Sequence, residues 1–348
     1  MEKFKNVLEN KMLRTLLMVT IGLILLIIIV IAVMSGKNTG LSDTKLINAA
    51  KSYYKEHPNL LPNDEYSNST VSLSTLTSTG HINVETSCSA YVSVVKINGE
   101  YSYTPFTNCD ASSKTLVSKL MENISVSSNG LYYYNGSYIF RGENPNNYLS
   151  LGNTLWRIIG TDTSNNIKII YEKSYEYSEW DDRYNIDYDN TYGINEYEKS
   201  RLKENLNLYF LQNSEIFTPT VLARLAKHSV CIGKVNLNNS TIDVCSNVLD
   251  NQMVSIINLS DYMNASLDEL CSTSNTKNCQ NYNFLNDNIW TITASNEDTV
   301  NAYYISKYEG VKSSNAYIRR KIKPVIALKN DVIYVSGNGT EENPYKIK

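Results

Sequence analysis

His228 and Cys231 stand three residues apart in KHSVCIG, a spacing that could bring a thiol beside an imidazole, the pair that a cysteine hydrolase needs. Cys245 lies close enough in the chain to bind Cys231 as a disulfide and remove that thiol. The other two histidines, His57 and His81, are remote, and none of the three stands in HExxH or beside a CxxC pair, so no zinc site is expected. The chain has no GxSxG elbow, no SxxK with the partners that a penicillin-type serine enzyme needs, and no GxxxxGK[ST] phosphate loop. Asp181 and Asp182 are paired carboxylates of the kind a glycosidase uses, too generic to assign without geometry. GNGT at 337–340 lies between strand signals with no following helix to supply a positive end, so it reads as a hairpin turn. No catalytic residue is assigned, and no cofactor or metal is expected.

Recognition chemistry is better represented. The acidic stretch DYDNTYGINEYE offers Asp187, Asp189, Thr191 and Glu198 at positions one, three, five and twelve of a calcium loop. An EF-hand needs glycine at position six for its sharp turn, where this chain has Tyr192 with Gly193 one place late. A looser calcium site and an ordinary solvated acidic loop both stay open. Trp180, in SEWDDRYN, has charged neighbours and is the expected exposed aromatic. Trp180, Asp187, Asp189 and Glu198 are therefore the candidate ligand-binding residues.

Trp156 reads differently. In NTLWRIIGTDTSNNIKII it shares one strand face with Ile158, while Arg157 and Ile159 share the other, and Ile167 and Ile169 repeat the apolar spacing across a polar turn. Burying the indole and isoleucines stabilises by roughly 1.5–3 kcal/mol each. Core packing is the expected role of Trp156.

These residues depend on where the chain lives. Thr15 to Met34 is a run without charge, long enough to cross ~30 Å of hydrocarbon as a helix. Lys3, Lys5, Lys11 and Arg14 precede it against Glu2 and Glu9, and only Lys37 follows closely, which predicts a cytoplasmic arm at 1–14, an uncleaved transmembrane helix at 15–34 in the lipid bilayer, and everything beyond outside the cell. The chain carries 32 basic and 35 acidic side chains; removing the arm's net two positive charges takes the overall −3 to −5 for the exported part. That balance argues against nucleic acid as a partner. Tyrosine is plentiful at 27 and phenylalanine scarce at 6, a bias that fits an adhesive or sugar-binding face as well as plain genome composition. All six cysteines fall on the outer side, where an even count suggests disulfides. Pairing of neighbours joins Cys88 to Cys109, Cys231 to Cys245 and Cys271 to Cys279.

After the apolar run, SDTKLINAAKSYYKEHP from Ser42 places Leu46, Ile47, Ala50, Tyr53 and Tyr54 at helical spacing, stopped by Pro58. AYVSVVKINGEYSYTPF then forms two extended runs around Asn98-Gly99, a strong hairpin signal. A two-residue turn there sets Cys88 opposite Cys109 at a non-hydrogen-bonded site, where Cα atoms lie ~4.5 Å apart and a disulfide can close. Pro105 makes the second strand an edge. Helix, disulfide-closed sheet and N-terminal apolar helix together resemble a type IV pilin or pseudopilin head over 41–109, which implies a stalk. NKMLRTLLMVT departs from that family's prepilin pattern, having neither the glycine, the aromatic nor the glutamate of the cleavage region.

Residues 110–130 are Ser-rich and weakly patterned, and read as a linker. From 131 to 348, strand-like GSYIF, TLWRIIG, NIKIIYE, KPVIALK and DVIYVS interleave with helical pieces near 198–212 and 218–228, which predicts a mixed α+β domain. Five blocks, GENPNNYLSLGNTLWRIIG, RLKENLNLYF, SIINLSDYMNA, IWTIT and KPVIALKNDVIYVSGNGTEENPY, resemble a family of uncharacterised exported bacterial domains. That resemblance implies a surface location and a fold of C-type-lectin kind, and no established activity. The expected function is a single-pass surface protein, non-catalytic, whose outer domain binds a surface glycan or protein. The alternatives are an extracellular hydrolase of wall polymer or glycan, and a minor pseudopilus component.

Overall fold

A computed structural model describes residues 40–238 and 244–348. The predicted transmembrane helix at 15–34 and the cytoplasmic arm lie outside the described residues, and among those described no helix is long and apolar enough to cross a membrane. The expectation of an α+β fold is corrected: the chain is mostly β, with 36% strand against 19% helix. The expected helical piece at 198–212 contracts to α4 (Arg201–Asn205) and one π-helical turn (Leu206–Phe210). The piece at 218–228 contracts to α5 (Pro219–Ala223), after which β10 (Leu225–Ala226) pairs with Leu328 and Ala327. In the first piece Asn side chains compete for the backbone of a would-be helix, and in the second the ladder bonds of Leu225 and Ala226 to a buried strand outweigh a run of good helix formers.

The chain forms two compact units. The smaller takes residues up to Glu56 with Val71–Val92 and Pro105–Cys109. Helix α1 (Asp43–Glu56) buries Leu46, Ala49, Ala50 and Tyr54 on one face, close to the pattern expected from its spacing, and α2 (Leu73–Ser78) is capped by the Ser72 side chain. A three-stranded sheet runs in the order β1 (Asn68–Ser72), β2 (Ser89–Ile97), β3 (Glu100–Asn108), so the strand with Pro105 is an edge, as expected. In the segment Ser93–Thr104, which is counted with the larger unit, Asn98 and Gly99 both have positive φ, 52° and 80°, as the two-residue turn requires. Cys88 and Cys109 are bridged.

The larger unit takes His57–Thr70, Ser93–Thr104 and Asp110–Lys348. The segment expected as a linker is part of it: α3 (Leu116–Leu120), capped by Thr115, buries Leu116, Val117 and Leu120. A nine-stranded sheet runs β10-β18-β8-β7-β6-β20-β19, with β4 (Gly130–Tyr134) paired to β5 (Ser137–Arg141) and β5 to β7. Its centre is the expected hairpin, β7 (Thr154–Thr161) and β8 (Ile167–Tyr171), flanked by β6 (Tyr148–Leu151) and β18 (Val325–Leu328). β19 (Tyr334–Ser336) and β20 (Tyr345–Ile347) pair antiparallel around the GNGT turn. β11 (His228–Cys231) and β13 (Val248–Gln252) make a two-stranded ribbon. A six-stranded sheet runs β16 (Gly310–Asn315), β15 (Asn301–Ser306), β14 (Ile289–Ser295), β17 (Arg319–Ile322), β9 (Glu176–Glu179), with β12 (Lys234–Val235) on β14. One buried cluster draws Ile159, Ile170 and Val325 from the larger sheet together with Ile289, Ile305 and Val311 from the smaller and Leu259 and Tyr262 from α6 (Leu259–Ala265). Asn258 and Asp261 cap α6 reciprocally.

Candidate functional site

Trp156 is fully buried, as its strand pattern predicts, with Tyr171, Phe210 and Phe217 around it at ring distances of 5.1, 6.3 and 6.5 Å. Trp180 overturns its expectation. It is 0% exposed, its indole N–H donates to the Thr291 carbonyl at 2.9 Å, and Tyr197 meets it edge-on at 5.8 Å. The charges flanking Trp180 in sequence point away from the core or are satisfied inside it. Asp181, also 0% exposed, accepts from Arg183 Nε at 3.0 and 2.8 Å, from the Ile194 amide at 2.7 Å and from the Arg201 amide at 3.0 Å. This carboxylate ties both ends of the 182–200 loop and is structural, so no glycosidase pair forms from Asp181 and Asp182.

The remaining residues of the acidic loop do not converge. Asp187 accepts from the Thr299 hydroxyl at 2.7 Å, Asp189 accepts from the Tyr184 hydroxyl, and Glu198 lies in a short 3-10 turn where its carbonyl accepts from Lys203. Among the described residues no group of three or more His, Cys, Asp or Glu could hold a metal ion. The loop is held instead by buried amides. Asn195 donates through Nδ2 to the carbonyls of Ser295, Asp298 and Asn301, and its Oδ1 accepts from Lys234 at 2.5 Å.

The thiol reading also closes. Cys231 is bridged to Cys245, and Cys271 to Cys279, as the sequence spacing suggested. His228 is buried against Ser255, Nε2 to Oγ 3.1 Å, and desolvation, aided by nearby Lys168, pushes its pKa down to about 4. It stays neutral and enclosed.

An open cleft of about 480 Å³ is a candidate for binding. The edge strand β9 supplies Glu176, Tyr177 and Glu179, α4 and the π-helical turn supply Asn205 and Tyr209, the following turn supplies Gln212 and Asn213, and β17 supplies Arg319. Tyr177 is 54% and Tyr209 59% exposed, while Tyr175 is anchored edge-on to Phe210 at 4.7 Å. Two exposed rings, a third packed on Phe210 and three carboxamides in the same lining offer stacking surface and both kinds of hydrogen-bonding group. Arg319 pairs with Glu179 at 3.2 Å and donates to the Tyr177 carbonyl at 2.8 Å, which fixes the strand edge. Glycoside hydrolysis needs two carboxylates facing one bond; here Glu179 is already engaged, leaving Glu176.

No protein-family model, curated protein or solved structure matches this chain. The functional reading therefore rests on its own residues. Sequence spacing does not reveal the cleft, because Tyr177 sits in a short polar edge strand, Tyr175 just precedes it, and Tyr209 is presented by a π-helical turn that breaks helical spacing. A usable signal was the pair of tyrosines at i and i+2 in SYEYSE.

Proposed function

We propose that this chain is a single-pass, membrane-anchored surface protein that binds a glycan without transforming it, the apolar run 15–34 being the anchor and the cleft at β9 the binding site. The carrying observation is the grouping of Tyr177 and Tyr209 with Asn205, Gln212, Asn213 and Arg319 in one open cleft. Sugar rings present apolar C–H faces to aromatic rings and hydroxyls to amides and charged groups, and exposed tyrosines supply large contact area at small entropic cost. Three disulfides agree with an oxidising compartment. The engagement of Glu179 by Arg319 favours binding over hydrolysis.

The test is a glycan array probed with the full-length protein in detergent micelles, wild type beside Tyr177→Ala and Tyr209→Ala. Each variant is expected to weaken binding by about tenfold or more while melting like wild type. Glycan binding that both variants retain would move the site elsewhere, and product release from any bound glycan would restore the hydrolase reading.

A further inference from the structure

A second feature of the larger unit lies apart from the tyrosine cleft, where β6, β7, β8 and β18 meet the loop before β14 and the turn after β19. Arg157 is only 7% exposed, yet among the described residues no carboxylate lies within ion-pair distance of it. Its guanidinium lies over two rings, 4.2 Å from the Tyr148 centroid and 4.8 Å from that of Phe284. Nε donates to Asn147 Oδ1 at 2.8 Å, and Nη2 reaches the Pro145 carbonyl at 3.5 Å. Nη1 has no hydrogen-bond partner among the described residues and is not fully buried. Of the five N–H donors in the fork, three therefore have no hydrogen-bond partner among the described residues.

The surroundings are built to hold this arrangement. Asn147 is fully buried and donates to the Ile158 carbonyl at 2.7 Å, which fixes the oxygen that receives Nε. Gly339, at φ +82°, brings the turn after β19 so close that a Cβ there would lie 2.3 Å from the Asn146 carbonyl, and the Tyr148 amide donates to the Gly339 carbonyl at 2.8 Å. Arg157 is directly opposite Ile170 on β8, so Glu172, two residues on, shares its face; Lys323 shares that face from β18, because Val325 is opposite Ile170. Lys323 is paired with Asp287 at 3.2 Å. Burial pushes the Glu172 carboxyl up, toward the neutral acid.

We propose that Arg157 is the floor of an anion-recognition subsite that takes the carboxylate of a small acidic ligand such as a uronic acid. A guanidinium locked by two rings and one amide is pre-organised for bidentate carboxylate binding, and its desolvated charge has no contacting counter-ion to displace. Burial raises the Glu172 carboxyl above its ordinary range, which weakens the negative charge that Glu172 and, further out, Glu341 set against an incoming carboxylate.

The test is equilibrium dialysis of the full-length protein in micelles against labelled D-glucuronate, with acetate and D-glucose as competitors. Saturable binding displaced by acetate and not by glucose is expected. Arg157→Lys, which keeps the charge and loses the fork, should bind about tenfold more weakly. Glu172→Lys changes a partly exposed residue and should tighten binding by more than about twofold through the added cation. Tyr177→Ala should bind glucuronate like wild type, which separates this subsite from the cleft. Absence of saturable binding to wild type, equal displacement by glucose, or binding that Glu172→Lys leaves unchanged would overturn the proposal, and the last holds even if Arg157→Lys does not fold.

Discussion

The hairpin 154–171 and the loop 180–201 each carry a fully buried tryptophan at one end, yet they are held by opposite means. In the hairpin, Trp156, Ile158, Ile167 and Ile169 fill apolar surface, and the backbone polar groups are consumed by the ladders of β6, β7 and β8. In the loop, few ladder bonds exist, and the buried polar side chains Asp181, Asn185 and Asn195 accept or donate the bonds that strands would otherwise make. Apolar burial announces itself as periodicity; polar enclosure does not, because the same Asp and Asn residues serve solvated turns equally well. Trp180 shows why: of its charged neighbours Asp181 is a buried fastening of the loop, while Glu179 and Asp182 pair with arginines nearer solvent, and the sequence does not tell the two kinds apart.

The largest expected effect puts the two tryptophans on one footing. Trp156→Ala and Trp180→Ala should each destabilise the larger unit by about 3–5 kcal/mol, the usual cost of deleting a large buried aromatic. Denaturant titration followed by circular dichroism reads both. A Trp180 variant that unfolds at the wild-type midpoint would return that residue to the surface and remove the comparison's second half.

Next comes the fastening itself. Asp181→Asn keeps the shape and loses the charge that four hydrogen bonds converge upon, at a site with no solvent to substitute. We expect a loss of about 3 kcal/mol, the low end for breaking a buried pair, because Arg183 is 27% exposed and can be rehydrated. Hydrogen exchange should accelerate at the Ile194 and Arg201 amides more than at Ile158. Uniform acceleration across both regions would mean that Asp181 supports the whole unit rather than the loop.

Legibility followed the same division. The helix at 43–56, the Asn98-Gly99 hairpin, the β7–β8 hairpin, the turn at 337–340 and the three disulfides could be read because each depends on short-range spacing. The balance of strand over helix could not, since Leu225 and Ala226 are drawn into a sheet by Leu328 and Ala327, a hundred residues away in the chain. Residues 110–130 looked like a linker by composition, although Leu116, Val117 and Leu120 already stood at helical spacing behind a capping threonine. Neither proposed site is legible in the sequence. The cleft joins an edge strand to a π-helical turn, and Arg157 reads in sequence as an ordinary strand residue, its slot being assembled by Asn147, Tyr148 and Phe284 from separate segments.

The smallest expected effect tests the loop's outer side. Ile186 is 84% and Tyr188 44% exposed, on a loop whose inner side is fully engaged. If polar fastenings alone hold the loop, Ile186→Ser and Tyr188→Ala should each change stability by no more than about 0.5 kcal/mol, the range of surface substitutions that touch no cap, core or network. Tyr188 touches Tyr192, whose ring stacks on Tyr317 at 5.1 Å, so its variant is the more demanding of the two. Loss of a single exposed ring contact sets an upper bound near 1 kcal/mol. A larger loss at Tyr188 would show that an aromatic strip on the outside shares the work of Asp181 and Asn195, and the contrast between an apolar hairpin and a polar loop would then need redrawing. Unchanged stability in both variants would leave an apolar side chain displayed without structural need, a natural place to look for a partner contact.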